Sequence, residues 1–93
     1  MKLNLLSPEE LKLLKYEIPK WVVKDKIISR SWKFKNFVDA FGFITRVAML
    51  SEARNHHPKF TNVYSIVEIE LTTHDLNGIT SLDLALAKEI DNL

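Results

Sequence analysis

Residues 36–58 read NFVDAFGFITRVAMLSEARNHHP, and the reading of this run decides how the rest of the chain is parsed. Asn36 has the short polar side chain of a helix N-cap, and Asp39 falls in the first turn, where a carboxylate suits the positive end of the helix dipole. Phe37, Phe41, Ile44 and Ala48, with Val38, Val47 and Leu50 beside them, recur at helical spacing to about Arg54. Phe43 and Met49 fall outside that main stripe, so the apolar face is broad. A helix apolar on two sides is expected to pack against a sheet and against another subunit. Asn55-His56-His57-Pro58 breaks it, because the residue before a proline is driven toward extended geometry.

Upstream of this helix the pattern is that of strands. Trp21-Val22-Val23 and then Ile27 to Phe34 are rich in branched and aromatic residues, with Lys24-Asp25-Lys26 between them, and they predict a hairpin whose apolar face carries Trp32 and Phe34. Before the hairpin, Ser7-Pro8-Glu9-Glu10 is a helix start with a capping box, Leu11, Leu14 and Leu13 supply its stripe, and Pro19 ends it. Downstream, residues 60–73 are again β-like, and periodicity leaves open whether they form one bent strand or two short ones meeting near Tyr64. Asn77-Gly78 marks a turn, Thr80-Ser81-Leu82-Asp83 is a second capping box, and Leu82, Leu86, Ile90 and Leu93 line a last helix. The expectation is an α+β fold in the order α-β-β-α-β-β-α, with a single four-stranded antiparallel sheet and the helices on one face. Residues 1–93 are expected to form one domain.

Composition narrows the function. The chain is 46% hydrophobic and 27% charged, enough for a real core under a solvated surface. A formal net charge of +1, without an arginine-rich run, gives direct nucleic-acid binding little to rest on. There is no cysteine, which excludes disulfides, thiolate catalysis and cysteine-based zinc sites. Met1 to Leu6 is too short an apolar stretch for a secretory leader, and no run is long enough to span a membrane, so a cytoplasmic protein is expected.

The three histidines, His56, His57 and His74, all fall at the ends of predicted elements. Imidazole has an ordinary pKa of about 6.5, so such a group can supply both an acid and a base near neutrality. Spacing alone is equally compatible with solvated loop residues. A zinc site is the third option and the weakest, since adjacent side chains diverge in extended backbone and no HExxH-type helical pair exists.

A longer pattern separates these options. Glu52, then His56-His57-Pro58 after three residues, Tyr64 five residues on, His74 nine further and Asp83 eight further make seven defined positions at fixed spacing. Trp32 and Phe34, Phe37, Phe41-Gly42-Phe43, Thr73-His74 and Gly78-Ile79-Thr80 flank them. This arrangement resembles the signature of the pterin-4a-carbinolamine dehydratases, and the similarity runs from about Trp21 to the C-terminus. The chain departs from relatives at Phe60, where tryptophan is common, and at Leu82, where some carry arginine.

The resemblance implies a lyase of the hydro-lyase type that needs no metal and no cofactor. Aromatic amino-acid hydroxylases leave their pterin as a 4a-hydroxy adduct, and such a dehydratase converts 4a-hydroxytetrahydrobiopterin to quinonoid dihydrobiopterin and water. Carried over, His56 and His74 exchange protons, and His57 binds and orients the pterin. Glu52, Phe60 and Asp83 are the further substrate-site candidates. Glu52 lies one turn before His56 and could orient an imidazole, or could be a solvated helix carboxylate. For Asp83 capping explains more than a link to His74 does. Phe60, Trp21 and Tyr64 are expected in core or strand positions before any contact with a flat ring. The implied partners are the pterin and further copies of the chain, a homotetramer built as a dimer of dimers, with no nucleic acid and no membrane. Phe43, Val47 and Leu50 are the residues expected to carry self-association. The alternative is a pterin-binding or dimerisation/coactivator module, as animal members also serve a homeodomain transcription factor. A molybdopterin-related role is the third possibility.

Overall fold

The computed structural model describes residues 2–93; Met1, the start of the stretch weighed above as a leader, lies outside them. Helix α1 (Pro8–Glu17) opens on the Ser7–Glu10 capping box, in which each residue's backbone N–H donates to the other's side-chain oxygen. Strands β1 (Val22–Lys24) and β2 (Ile27–Lys33) form a hairpin turning at Asp25, whose φ of 54° is left-handed. Helix α2 (Phe37–Arg54) follows, capped by Asn36, whose Oδ1 accepts from the Asp39 amide. Strands β3 (Lys59–Val63) and β4 (Ile66–Leu71), a 3₁₀ turn at His74–Leu76 and helix α3 (Ser81–Asp91) complete the chain.

The run from Phe60 to Thr73 is therefore two strands. They meet at Tyr64, which takes a left-handed φ of 51° and lies exposed at the hairpin tip. Tyr64 thus serves the turn, in a conformation bulky residues seldom adopt, and not the core.

The sheet is antiparallel in the order β1-β2-β4-β3. Register puts Ile28 opposite Leu71, Trp32 opposite Val67 and Phe60 opposite Ile69, so these side chains share one face. The helices cover that face: Leu14 and Ile18 from the α1 end, Ala40, Phe43 and Val47 from α2, and Leu86, Ala87 and Ile90 from α3 join one core. Phe43 is wedged between Trp32 and Phe34, with ring centroids 4.8 and 5.0 Å away. The opposite face carries Lys24, Ser31, Lys33, Lys59, Thr61, Glu68 and Glu70 and is open.

On α2 the structure shifts the expected buried face: Val47, Ile44 and Leu50 of the expected apolar set pack on the core, while Phe37, Phe41 and Ala48 do not. Ala40, Phe43, Val47 and Ser51 are the buried row, while Phe37 and Phe41 are about half exposed, at 47% and 53%. Both rows have helical spacing, so periodicity could not choose between them. The choice lies in shape, because small Ala40 lets the helix approach the sheet and Phe43 fills the gap between two aromatic rings. Phe43 and Val47 therefore cannot present a surface to another subunit, since Val47 is wholly buried and Phe43 nearly so. Leu13 on α1 is likewise exposed, leaving Leu14 and the partly buried Leu11 as that helix's inward side. Among the described residues no helix is long and apolar enough to cross a membrane.

Candidate active site

Two chain reversals, far apart in sequence, bring the histidines together. The first ends α2. Asn55 adopts a left-handed conformation (φ 51°, ψ 44°), its N–H donates to the Glu52 carbonyl, and the His56 N–H donates to the Ser51 carbonyl at 3.0 Å. This is the Schellman closure of a helix, and asparagine is one of the few residues besides glycine that accepts its geometry. The helix thus stops at Asn55 by its own hydrogen bonds, before Pro58 acts. The closure turns His56 inward, where it is 9% exposed, while His57 points outward.

The second reversal follows β4. Thr73 and Gly78 exchange two backbone hydrogen bonds, 2.8 and 3.3 Å, around the loop that starts at His74, and Asn77 supplies its left-handed residue. Gly78 lies in close approach to the N-terminal segment, because a Cβ there would sit 2.7 Å from Leu5 Cδ2 and displace that side chain. The N-terminal segment is held against the same loop by the Leu6 N–H to Ile79 carbonyl bond at 2.9 Å.

Helix α3 then begins at the cap Thr80, and its first turn carries Asp83. Asp83 completes the capping box, its Oδ2 accepting from the Thr80 amide at 2.9 Å. Its Oδ1 lies 2.5 Å from His56 Nε2. Capping and histidine support, weighed as alternatives from the sequence, are thus performed by the two oxygens of one carboxylate, and the imidazole it holds is His56, not His74. Glu52 is 2.7 Å from His57 Nε2, so it supports the second histidine and not the first. Magnitude separates the two pairs. The Glu52–His57 contact is exposed, where ion pairs are worth about 0–1 kcal/mol, whereas Asp83 has no solvent exposure.

His56, His57 and His74 line one open cavity of about 420 Å³, with Thr72, Thr73 and the apolar side chains of Leu3, Leu76 and Leu82. Apolar walls with a few convergent polar groups suit a small-molecule ligand. Asp83 stands behind His56 and not on the wall. Phe60 belongs to a neighbouring apolar groove with Thr45, Ala48, Met49, Glu52, His57 and Pro58, so His57 lies at the border of both. Among the described residues no three histidine, aspartate or glutamate side chains are grouped as ligands of one metal ion.

Against this geometry the family model described as Pterin 4 alpha carbinolamine dehydratase matches residues 4–93. The chain belongs to the pterin-4-alpha-carbinolamine dehydratase family. Similar members of the family include proteins provisionally named as this dehydratase. One from Prochlorococcus marinus strain MIT 9313 is 52% identical over 93 residues, all of this chain and 97% of its own. One from Synechococcus sp. strain WH7803 is 50% identical over 90 residues, covering 97% of each chain. A crystal structure described as a transcriptional coactivator/pterin dehydratase from Brucella melitensis is 36% identical, with TM-score 0.89 over 96% of this chain and 97% of that one. A pterin dehydratase-like protein described as a RuBisCO assembly factor in the alpha-carboxysome is 22% identical, with TM-score 0.64 over 77% of this chain and 83% of its own, and shares the fold alone.

Three features of the candidate site carry little signal in the sequence. The hydroxyls of Thr73 and Thr80 are buried beside Asp83, and Leu3 reaches the cavity from the N-terminal segment. Thr80 was visible as a cap and Thr73 as the neighbour of His74. Leu3 carried no signal, because its placement depends on the pairing of residues 5 and 6 with the loop before α3.

Proposed function

We propose that this chain dehydrates a 4a-hydroxytetrahydropterin, with 4a-hydroxytetrahydrobiopterin as substrate and quinonoid dihydrobiopterin and water as products. The observation that supports this is the convergence of His56, His57 and His74 on one cavity, with His56 buttressed by a buried carboxylate. The reaction breaks the C4a–O bond and the N5–H bond. One group must give a proton to the departing hydroxyl, and another must take one from N5, so the proton count closes over a turnover. His56 and His74 stand in these two roles. His57, held by Glu52, orients the ring, and the apolar side chains of the wall pack against it. The activity would serve recycling of the pterin cofactor of aromatic amino-acid hydroxylases. The test is a coupled assay of quinonoid dihydropterin formation with and without the protein, before and after exhaustive chelation. The expected result is a rate increase that survives chelation; no increase over the uncatalysed rate would overturn the reading.

A second reading, a dimerisation or coactivator module, draws on the outer face of α2. Phe37, Phe41, Thr45, Ala48 and Met49 run along it as one exposed stripe that meets the groove lined by Phe60. Soluble monomers seldom leave so continuous a strip open. Pairing of equivalent stripes in a homotetramer would cover it, and is compatible with the enzymatic reading because His56 and His74 lie past the helix end.

A further inference from the structure

Two buried hydroxyls stand behind the His56–Asp83 pair and have no part in the proposed proton transfers. Thr73 Oγ1 donates to Asp83 Oδ2 at 2.8 Å and lies 2.7 Å from Thr80 Oγ1. A hydroxyl has one proton, and that of Thr73 is given to Asp83, so Thr80 is the donor between the two. Thr73 is 6% exposed and Thr80 fully buried, which keeps water from replacing either link. Oδ2 is therefore engaged by the Thr73 hydroxyl and the Thr80 amide, and Oδ1 is left facing His56 Nε2.

An ionised carboxylate only accepts, so opposite it His56 Nε2 carries the hydrogen of this contact. In the neutral ring Nδ1 is then the nitrogen with the free lone pair. Nδ1 has no partner from the protein, and among the described residues no fully buried side-chain nitrogen or oxygen lacks one, so Nδ1 is not sealed from solvent, and His56 lines the cavity.

We propose that Thr73 and Thr80 are positioning residues which, through Asp83, hold His56 as the Nε2–H tautomer and present Nδ1 as the atom that exchanges a proton with the substrate. The donors converge on Asp83 from two sides, the Thr80 hydroxyl through the Thr73 hydroxyl on Oδ2 and the His56 Nε2–H on Oδ1. Thr73 also directly precedes His74, so one hydroxyl ties the backbone carrying His74 to the acid that holds His56. Without the Thr73 hydroxyl, Oδ2 loses one of its two donors and the carboxylate is freer to turn, which lets the imidazole sample the other tautomer or a flipped ring. The proton-exchange role rests on the dehydratase reading; the tautomer does not.

The experiment therefore has two arms, run on wild type, Thr73→Val and Thr73→Ser. Imidazole ¹⁵N chemical shifts of labelled protein report which His56 nitrogen carries hydrogen in the neutral ring, and steady-state dehydration kinetics report kcat and KM. Wild type is expected to show Nε2–H. Thr73→Val should mix the tautomers and lower kcat on the order of tenfold, the effect of losing one strong hydrogen bond, with KM little changed. Thr73→Ser should restore both. An Nδ1–H ring in wild type overturns the proposal even if Thr73→Val does not fold. So does a folded Thr73→Val with wild-type shifts and kcat, or a loss that Thr73→Ser does not repair. A wild-type protein without dehydratase activity would overturn the proposed function, while the shifts would still decide the tautomer.

Discussion

Asp83 Oδ1 and His56 Nε2 lie 2.5 Å apart inside the protein, though 27 residues separate them in the chain. The contact joins the C-terminal end of α2 to the first turn of α3, so one carboxylate serves both the stability of a helix and the aim of an imidazole. Asp83→Ala should remove both at once. It leaves the Thr80 amide, the Thr73 hydroxyl and the His56 ring without their acceptor, and each buried unsatisfied group costs about 1–3 kcal/mol. The expected loss is roughly 3 kcal/mol or more by denaturant unfolding, with turnover lowered at least about tenfold. Stability within about 0.5 kcal/mol of wild type would contradict the buried network.

The histidines should separate by kinetic constant. His56→Ala and His74→Ala are each expected to lower kcat by about 10²–10⁴-fold, the usual contribution of one proton-transfer group. His57→Ala should raise KM more than it lowers kcat, and Glu52→Gln should do the same more weakly, because that pair is exposed. Full activity in both His56→Ala and His74→Ala would refute the assignment of roles.

Assembly should respond to the outer face of α2 and not to its inner row. Phe41→Glu and Met49→Glu place a charge on the exposed stripe and should give a folded species smaller than the tetramer proposed for wild type, a dimer held by the remaining interface, read by light scattering at micromolar concentration. Val47→Glu instead buries a charge in the core and should unfold the chain. A wild-type monomer at that concentration would sink the tetramer.

Gly78 and Leu5 should be coupled. Gly78→Ala drives a Cβ to 2.7 Å from Leu5 Cδ2, the far end of a flexible side chain, so the cost should be modest, about 1–2 kcal/mol. Because Leu3 lines the histidine cavity, the displaced segment should also raise KM. Leu5→Ala in the same chain should recover part of both losses, since it opens the space the methyl needs. Additive damage in the double variant would show that the contact is not what constrains Gly78.

The chain's local signals determined most of the fold. Two capping boxes, the Asn36 cap, the alternation in residues 27–34 and the break at 55–58 are short-range effects, and each appears in the structure where its residues predicted it. The spacing of Glu52, His56, His57, His74 and Asp83 was equally plain, because it is linear information. Only tertiary structure decided which face of α2 is buried, since both rows have helical period and the selection depends on how Ala40 and Phe43 fit Trp32 and Phe34. It alone paired Asp83 with His56 and Glu52 with His57, because loop geometry and the docking of α3 set those distances. The buried Thr73–Thr80 link belongs to the same class: two hydroxyls seven residues apart become neighbours only when Thr73 and Gly78 close the loop between them.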